Sequence, residues 1–211
     1  VEDATGQGLN WFFDQWVYHG GHPEFSVNWS WDEATKTVTV TVQQTQKTDD
    51  LTSRFRMPVE IELASHSASQ IRRVNVSKAE ETFHFQLDKK PTRVCFDPRD
   101  WVLKKLTVVK SREEWLDQLA YSDHVMPRVR AAEKLSEFKA DPEVVEALVT
   151  AAAHDPFWAV REQAVKTLTG ANGEQVRQTL LAASRIAAMS STSPVSAAGA
   201  SAIISALIGA L

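Results

Sequence analysis

Thr37-Val38-Thr39-Val40-Thr41-Val42 alternates without a break, and that alternation decides the fold of the first half of the chain. Successive side chains of a strand point to opposite faces, so valine in one phase and threonine in the other describes a strand with one buried and one wet face. Upstream, Phe25, Val27, Trp29 and Trp31 share one phase while Ser26, Asn28 and Ser30 share the other. Between the two runs lies Asp32-Glu33-Ala34-Thr35-Lys36, a turn-forming stretch. Downstream, Phe55, Met57, Val59, Ile61 and Leu63 alternate with Arg56, Glu60 and Glu62. Shorter runs follow at Val74 and Val76, at Phe83, Phe85 and Leu87, at Val94 and Phe96, and at Leu106 and Val108. Seven short strands broken by polar turns predict an antiparallel β-sandwich over residues 25–110, with one solvated face per sheet. Pro58 cannot donate to a ladder, so its strand is expected at an edge or a bulge.

After Lys110 the period changes to that of helices. Ser111-Arg112-Glu113-Glu114 has the capping-box pattern, in which a Ser hydroxyl and a Glu carboxylate each satisfy the other's backbone amide. Asp141-Pro142 and Asp155-Pro156 read as two further helix starts, with Asp as N-cap and Pro in the first turn. The segment Arg128-Val129-Arg130-Ala131-Ala132-Glu133-Lys134-Leu135 aligns with Arg161-Glu162-Gln163-Ala164-Val165-Lys166-Thr167-Leu168 at an offset of 33 residues. Val144 to Leu148 aligns with Val176 to Leu180 at an offset of 32. A helix pair recurring at this period is the signature of an α-solenoid, here HEAT-like, over residues 111–184; an ordinary small helical bundle is the alternative. The fold class is therefore mixed, with separate all-β and all-α parts. Residues 185–211 form an atypical tail rich in Ala and Ser, with no charge after Arg185. Its last seventeen residues, Val195 to Leu211, are short and unflanked for a membrane span, so it is expected to close the solenoid or to be foreign to the original reading frame.

At the other end, Leu9, Trp11, Phe12, Phe13, Trp16, Val17 and Tyr18 crowd aromatic surface onto one short amphipathic segment. About twenty residues cannot bury that surface by themselves. Residues 1–24 thus read as the terminal helix and turn of a domain whose remainder lies upstream, and Trp11, Phe12 and Trp16 as the face that docks on it.

Few residues suggest chemistry. The formal net charge of -4 and pI near 5.9 leave no basic excess for phosphates or anionic lipid, so nucleic acid and membrane are not expected partners. The one cysteine, Cys95, sits between Val94 and Phe96 and reads as a buried, inert thiol. Cysteine usage slightly favours a reducing compartment, the cytoplasm. His19-Gly20-Gly21-His22-Pro23-Glu24 gathers ligand-type side chains on a Gly-Gly loop, a poor platform for a metal, and is read as a connector. The sequence contains no HExxH, no GxSxG and no phosphate-cradling loop. Asp14, Glu80-Glu81 and Glu113-Glu114 read as solvated charge. Trp29 and Trp31 read as core in preference to a carbohydrate platform, and Phe157-Trp158 as packing between repeats in preference to an exposed hot spot. No catalytic, cofactor-binding or metal residue is identified.

The run Leu9-Asn10-Trp11-Phe12-Phe13-Asp14-Gln15-Trp16-Val17-Tyr18, followed by Gly21-His22-Pro23, resembles the end of the catalytic domain in zinc aminopeptidases of the aminopeptidase N type. Val27-Asn28-Trp29-Ser30-Trp31 and Thr39 to Gln46 resemble the small β-sandwich that follows it in that family, ahead of a HEAT-like helical domain. The resemblance runs from Leu9 to about Leu181; His19-Gly20 departs from the basic residue and Pro of many relatives. It implies a parent protein that removes N-terminal residues from peptides with zinc held by HExxH and a distal Glu. None of those motifs occurs here, so no zinc-binding or catalytic residue carries over. The implied role is that of a domain bridge and a cover over the active-site entrance, with the upstream catalytic domain as partner and peptides as substrates of the parent. The alternative is a non-enzymatic protein-interaction scaffold.

Overall fold

The computed structural model describes residues 6, 8–66, 68–169, 176–178 and 181. The chain divides into two compact units, Val1–Lys110 and Ser111–Leu211. The tail predicted over residues 185–211 lies outside the described residues.

The first unit opens with a short helix, α1 (Asn10–Phe13), that runs on into a π-helical turn, Asp14–Tyr18. Seven strands follow: β1 (Glu24–Asp32), β2 (Thr37–Gln44), β3 (Met57–Ser65), β4 (Ala68–Val76), β5 (Glu80–Gln86), β6 (Arg93–Phe96) and β7 (Lys105–Val108). They form two sheets, ordered β5-β2-β1-β7 and β4-β3-β6. The predicted alternation sets the packing. Val38, Val40 and Val42 are fully buried with Phe25, Val27, Val59, Ile61 and Leu63, and Trp29 and Trp31 pack partly buried against the same core. Asp32 makes the β1–β2 turn by accepting hydrogen bonds from Ala34 N (2.8 Å) and Thr35 N (3.3 Å); the Thr35 side chain, and then these two backbone bonds, hold its carboxyl below its usual range.

Three expectations are corrected. The pairing of β1 with β7 is parallel, Phe25 opposite Leu106, whereas the other strand pairs are antiparallel. Pro58 lies on β3, the central strand of its sheet. It is tolerated because β6 pairs only with Ile61 to Ala64, leaving Pro58 with a strand neighbour on one side. Glu62, assigned to a solvated face, is fully buried, with Arg93 of the neighbouring strand 3.9 Å away and Cys95 directly opposite in register.

The second unit contains α2 (Arg112–Tyr121), α3 (Val125–Lys134), a 3-10 turn (Leu135–Phe138), α4 (Pro142–His154) and α5 (Trp158–Leu168). Ser111 and Glu114 form the predicted capping box, and Asp141 caps α4 by accepting from Glu143 N at 2.9 Å. The repeat is structural: α3 and α5 begin 33 residues apart, Ala131 and Ala164 are both fully buried, and so are Leu135 and Leu168. Val176 is buried in the same core as Val144. The start of α5 is a further correction. It begins at Trp158 with Phe157 as N-cap, because Asp155 serves the α4–α5 turn: its carboxylate accepts from Phe157 N (2.8 Å) and from both Nε and Nη2 of Arg128 (2.8 and 3.1 Å).

Candidate domain-docking site

The aromatic segment of residues 10–18 splits into an inner and an outer face. Trp16 packs against the sandwich's own core, its ring 5.1 Å from that of Phe55. Gln15 is buried and binds Arg56 through both ends of its amide, Nε2 donating to Arg56 O at 3.1 Å and Oε1 accepting from Arg56 N at 2.7 Å. The guanidinium of Arg56 lies 4.8 Å over the ring of Trp11. Trp16 and Trp11, expected with Phe12 on a docking face, thus also have partners within the chain. The reason is Gln15, which pins the segment to the stretch before β3. Gln15 carried no signal by periodicity; a polar residue amid six aromatic or aliphatic neighbours was the sign available.

The outer face is what remains open. Phe12 is 41% exposed and Tyr18 77%, and Val17 is exposed with them. Leu51, exposed as well, lies beside the end of this segment. Gly20 N donates to Leu51 O at 2.9 Å, and Gly21, with φ +83°, lies so close to Thr52 that an added Cβ would sit 2.6 Å from its Cγ2. Phe12, Val17, Tyr18 and Leu51 are thus exposed, whereas Trp11 and Trp16, expected with Phe12 on a docking face, are half-buried.

The other sequence candidates are dispersed. His19 Nδ1 lies 2.9 Å from the backbone O of Asp14 and 3.4 Å from its carboxylate; His22 is exposed. Among the described residues no group of three or more His, Cys, Asp or Glu is placed to hold a metal. The donors of the His19 to Glu24 loop do not fit zinc, and no step through zinc is assigned to this chain. Cys95 is buried, and burial pushes its thiol up, against the opposing pull of Lys110, whose Nζ donates to Sγ at 3.6 Å. Phe157 and Trp158 are not packed away between repeats: both are exposed, their rings 5.9 Å apart. No described helix is long and apolar enough to cross a membrane.

Residues 21–97 match the family described as a domain of unknown function (DUF3458) with an Ig-like fold, and residues 112–203 match HEAT repeats. The chain is thus an Ig-like β-sandwich followed by a HEAT-like helical region. No curated protein matches it significantly. Among solved structures it is similar to the crystal structure of Legionella pneumophila aminopeptidase A in complex with aspartic acid, with a TM-score of 0.69 and 14% sequence identity. The alignment covers 99% of this chain and 30% of that protein's chain. At that identity the likeness is one of fold, and the chain spans less than a third of the length of the protein it matches.

Proposed function

We propose that this chain is the non-catalytic C-terminal region of a zinc aminopeptidase, inactive alone, in which sandwich and solenoid brace an upstream catalytic domain and limit which peptides reach it. The observation that carries the reading is the fold match over nearly the whole chain, helix, sandwich and solenoid in one order, to part of an aminopeptidase. The exposure of Phe12, Val17, Tyr18 and Leu51 adds to it, because large apolar side chains left open on and beside one short segment suit a site of association. Zinc and the hydrolytic groups belong, in this reading, to the upstream part.

The test is the intact mass of the natural polypeptide that carries this sequence, followed by its hydrolysis of amino-acid p-nitroanilides with and without a chelator. A mass far above 23.5 kDa, with chelator-sensitive hydrolysis, is the expected result. A polypeptide near 23.5 kDa, or a longer one without such hydrolysis, sinks the proposal. The second reading, a stand-alone interaction scaffold, is favoured by the exposed Phe157–Trp158 pair and would then take its place.

A further inference from the structure

The parallel pairing of β1 and β7 has a spatial effect. Parallel neighbours start at the same end of a sheet, so the segments that lead into them emerge together. Lys105 N donates to Pro23 O at 3.0 Å and Lys105 Nζ lies 3.5 Å from the Glu24 carboxylate, which fixes the two starts side by side. The loop Asp97 to Lys104 therefore stands at the end of the sandwich where residues 10–23 arrive.

That loop is tied together by its own hydrogen bonds and ion pairs, and is built at a cost. Asp97 (φ 48°) and Asp100 (φ 56°) both hold left-handed backbone without being glycine. The Asp97 carboxylate accepts from Trp101 N (3.1 Å) and Val102 N (2.9 Å). The Lys104 ammonium, its side chain 1% exposed, donates to Asp97 (2.5 Å), Asp100 (2.7 Å) and Val102 O (3.3 Å). A buried ammonium survives only with such compensation. While Val102 packs on the core, the loop holds Trp101 68% exposed and Leu103 74% exposed. Arg99, 3.5 Å from Glu60, lays its guanidinium 4.8 Å over the Trp101 ring. Exposed Trp braced by Arg on a pre-ordered loop is the composition of an interface anchor, because little entropy remains to be lost on docking.

We infer that the Asp97 to Lys104 loop is a second anchor for the same upstream domain that the Phe12, Val17, Tyr18 and Leu51 face receives, with Trp101 and Leu103 entering an apolar recess of it. The inference rests on the proposed function. The upstream domain is the occupant because both surfaces lie at one end of the sandwich. The aminopeptidase of like fold, moreover, has most of its chain outside the match.

Hydroxyl-radical footprinting of the intact natural polypeptide, native and in denaturant, tests it at Phe12, Tyr18, Trp101 and Leu103. All four are expected to oxidise about tenfold more slowly in the native protein, as at a dry interface core. Protection of Phe12 and Tyr18 with Trp101 and Leu103 reacting freely overturns this inference and leaves the proposed function standing. Free reaction at all four removes both. Protection of Trp101 that vanishes on dilution to a monomer assigns the loop to a second copy and also overturns it. The double substitution Trp101→Ser, Leu103→Ser in the same polypeptide is expected to raise oxidation at Phe12 and Tyr18 several-fold; an unchanged rate there counts against a shared occupant.

Discussion

Phe55 and Arg56 lie just before β3, where a backbone N–H and C=O have no ladder to join, and each is met by a glutamine amide. Gln44 accepts from Phe55 N at 2.9 Å and donates to Phe55 O at 2.7 Å, and Gln15 does the same for Arg56 from the other side. Consecutive residues of an extended chain point these groups in opposite directions, so two amides supply what two neighbouring strands would. Replacing Gln15 by Ala strands two polar backbone groups. The expected cost is about 1–3 kcal/mol, read as a lower urea midpoint for the sandwich, with Gln15→Glu in between because it keeps the acceptor and loses the donor. A midpoint unmoved by Gln15→Ala would show that the segment is not held this way. Cys95 gives a test by pH. Burial raises its folded value, so the native chain keeps the proton where the unfolded chain releases it. This contribution to stability is whole below the ordinary thiol range and falls as pH rises through it. Alkylation by iodoacetamide at about pH 8 is expected to be roughly a hundredfold slower in the native chain than in guanidinium, and equal rates would place the thiol at the surface.

Among the elements, the turns of the solenoid are fastened by arginine. Arg128 donates through Nη1 to Ser122 O at 2.8 Å, and its counterpart Arg161 donates through Nη1 to Asp155 O at 2.7 Å, so each repeat closes its own turn the same way. Arg128 also grips the Asp155 carboxylate, linking the α2–α3 turn to the α4–α5 turn. Both side chains are nearly buried, so Asp155→Ala leaves an uncompensated guanidinium and is expected to cost about 3–5 kcal/mol, followed by the loss of helical ellipticity in denaturant. Arg128→Lys, which cannot form the two-pronged contact, should destabilise less but measurably; an unchanged midpoint in both variants would deny the staple a role. What the sequence made legible was local. The Thr-Val alternation named its strand, and the 33-residue offset named its helices, because side-chain period is a property of neighbours in the chain. Glu62 looked solvated, and Asp155 looked like an N-cap, because Arg93 and Arg128, which decide their fates, stand 31 and 27 residues away. The direction of β7 was hidden likewise: alternation gives a strand's faces and not its neighbour.

Across the whole molecule, apolar side chains are divided between buried cores and open surface. The Val, Ile and Phe side chains of the sandwich and the Ala, Val and Leu side chains of the solenoid are buried in two separate cores. Yet Phe12, Val17, Tyr18, Leu51, Trp101, Leu103 and Val109 remain exposed in the first unit. Large apolar side chains at the surface of one small unit are costly in water: each left open forgoes about 1.5–3 kcal/mol of transfer free energy that burial would return. The segment bearing Phe12 and Tyr18 illustrates why the candidate site was only half visible in sequence. Its aromatic content announced a need for burial, but which rings turn inward was set by the Gln15 and Phe55 contacts, far apart in the chain. The consequence is measurable on the 211-residue chain itself. A dye that brightens on apolar surface should bind it, and the triple substitution Phe12→Ser, Tyr18→Ser, Leu51→Ser should lower its emission by roughly half. The same substitutions should leave ellipticity and the urea midpoint nearly unchanged, since exposed side chains contribute within about 0.5 kcal/mol to folding. A fall in stability alongside the dye signal would mean that these residues serve the sandwich itself. Unaltered emission would mean that the face is no apolar surface at all, and the proposed docking would lose its physical basis.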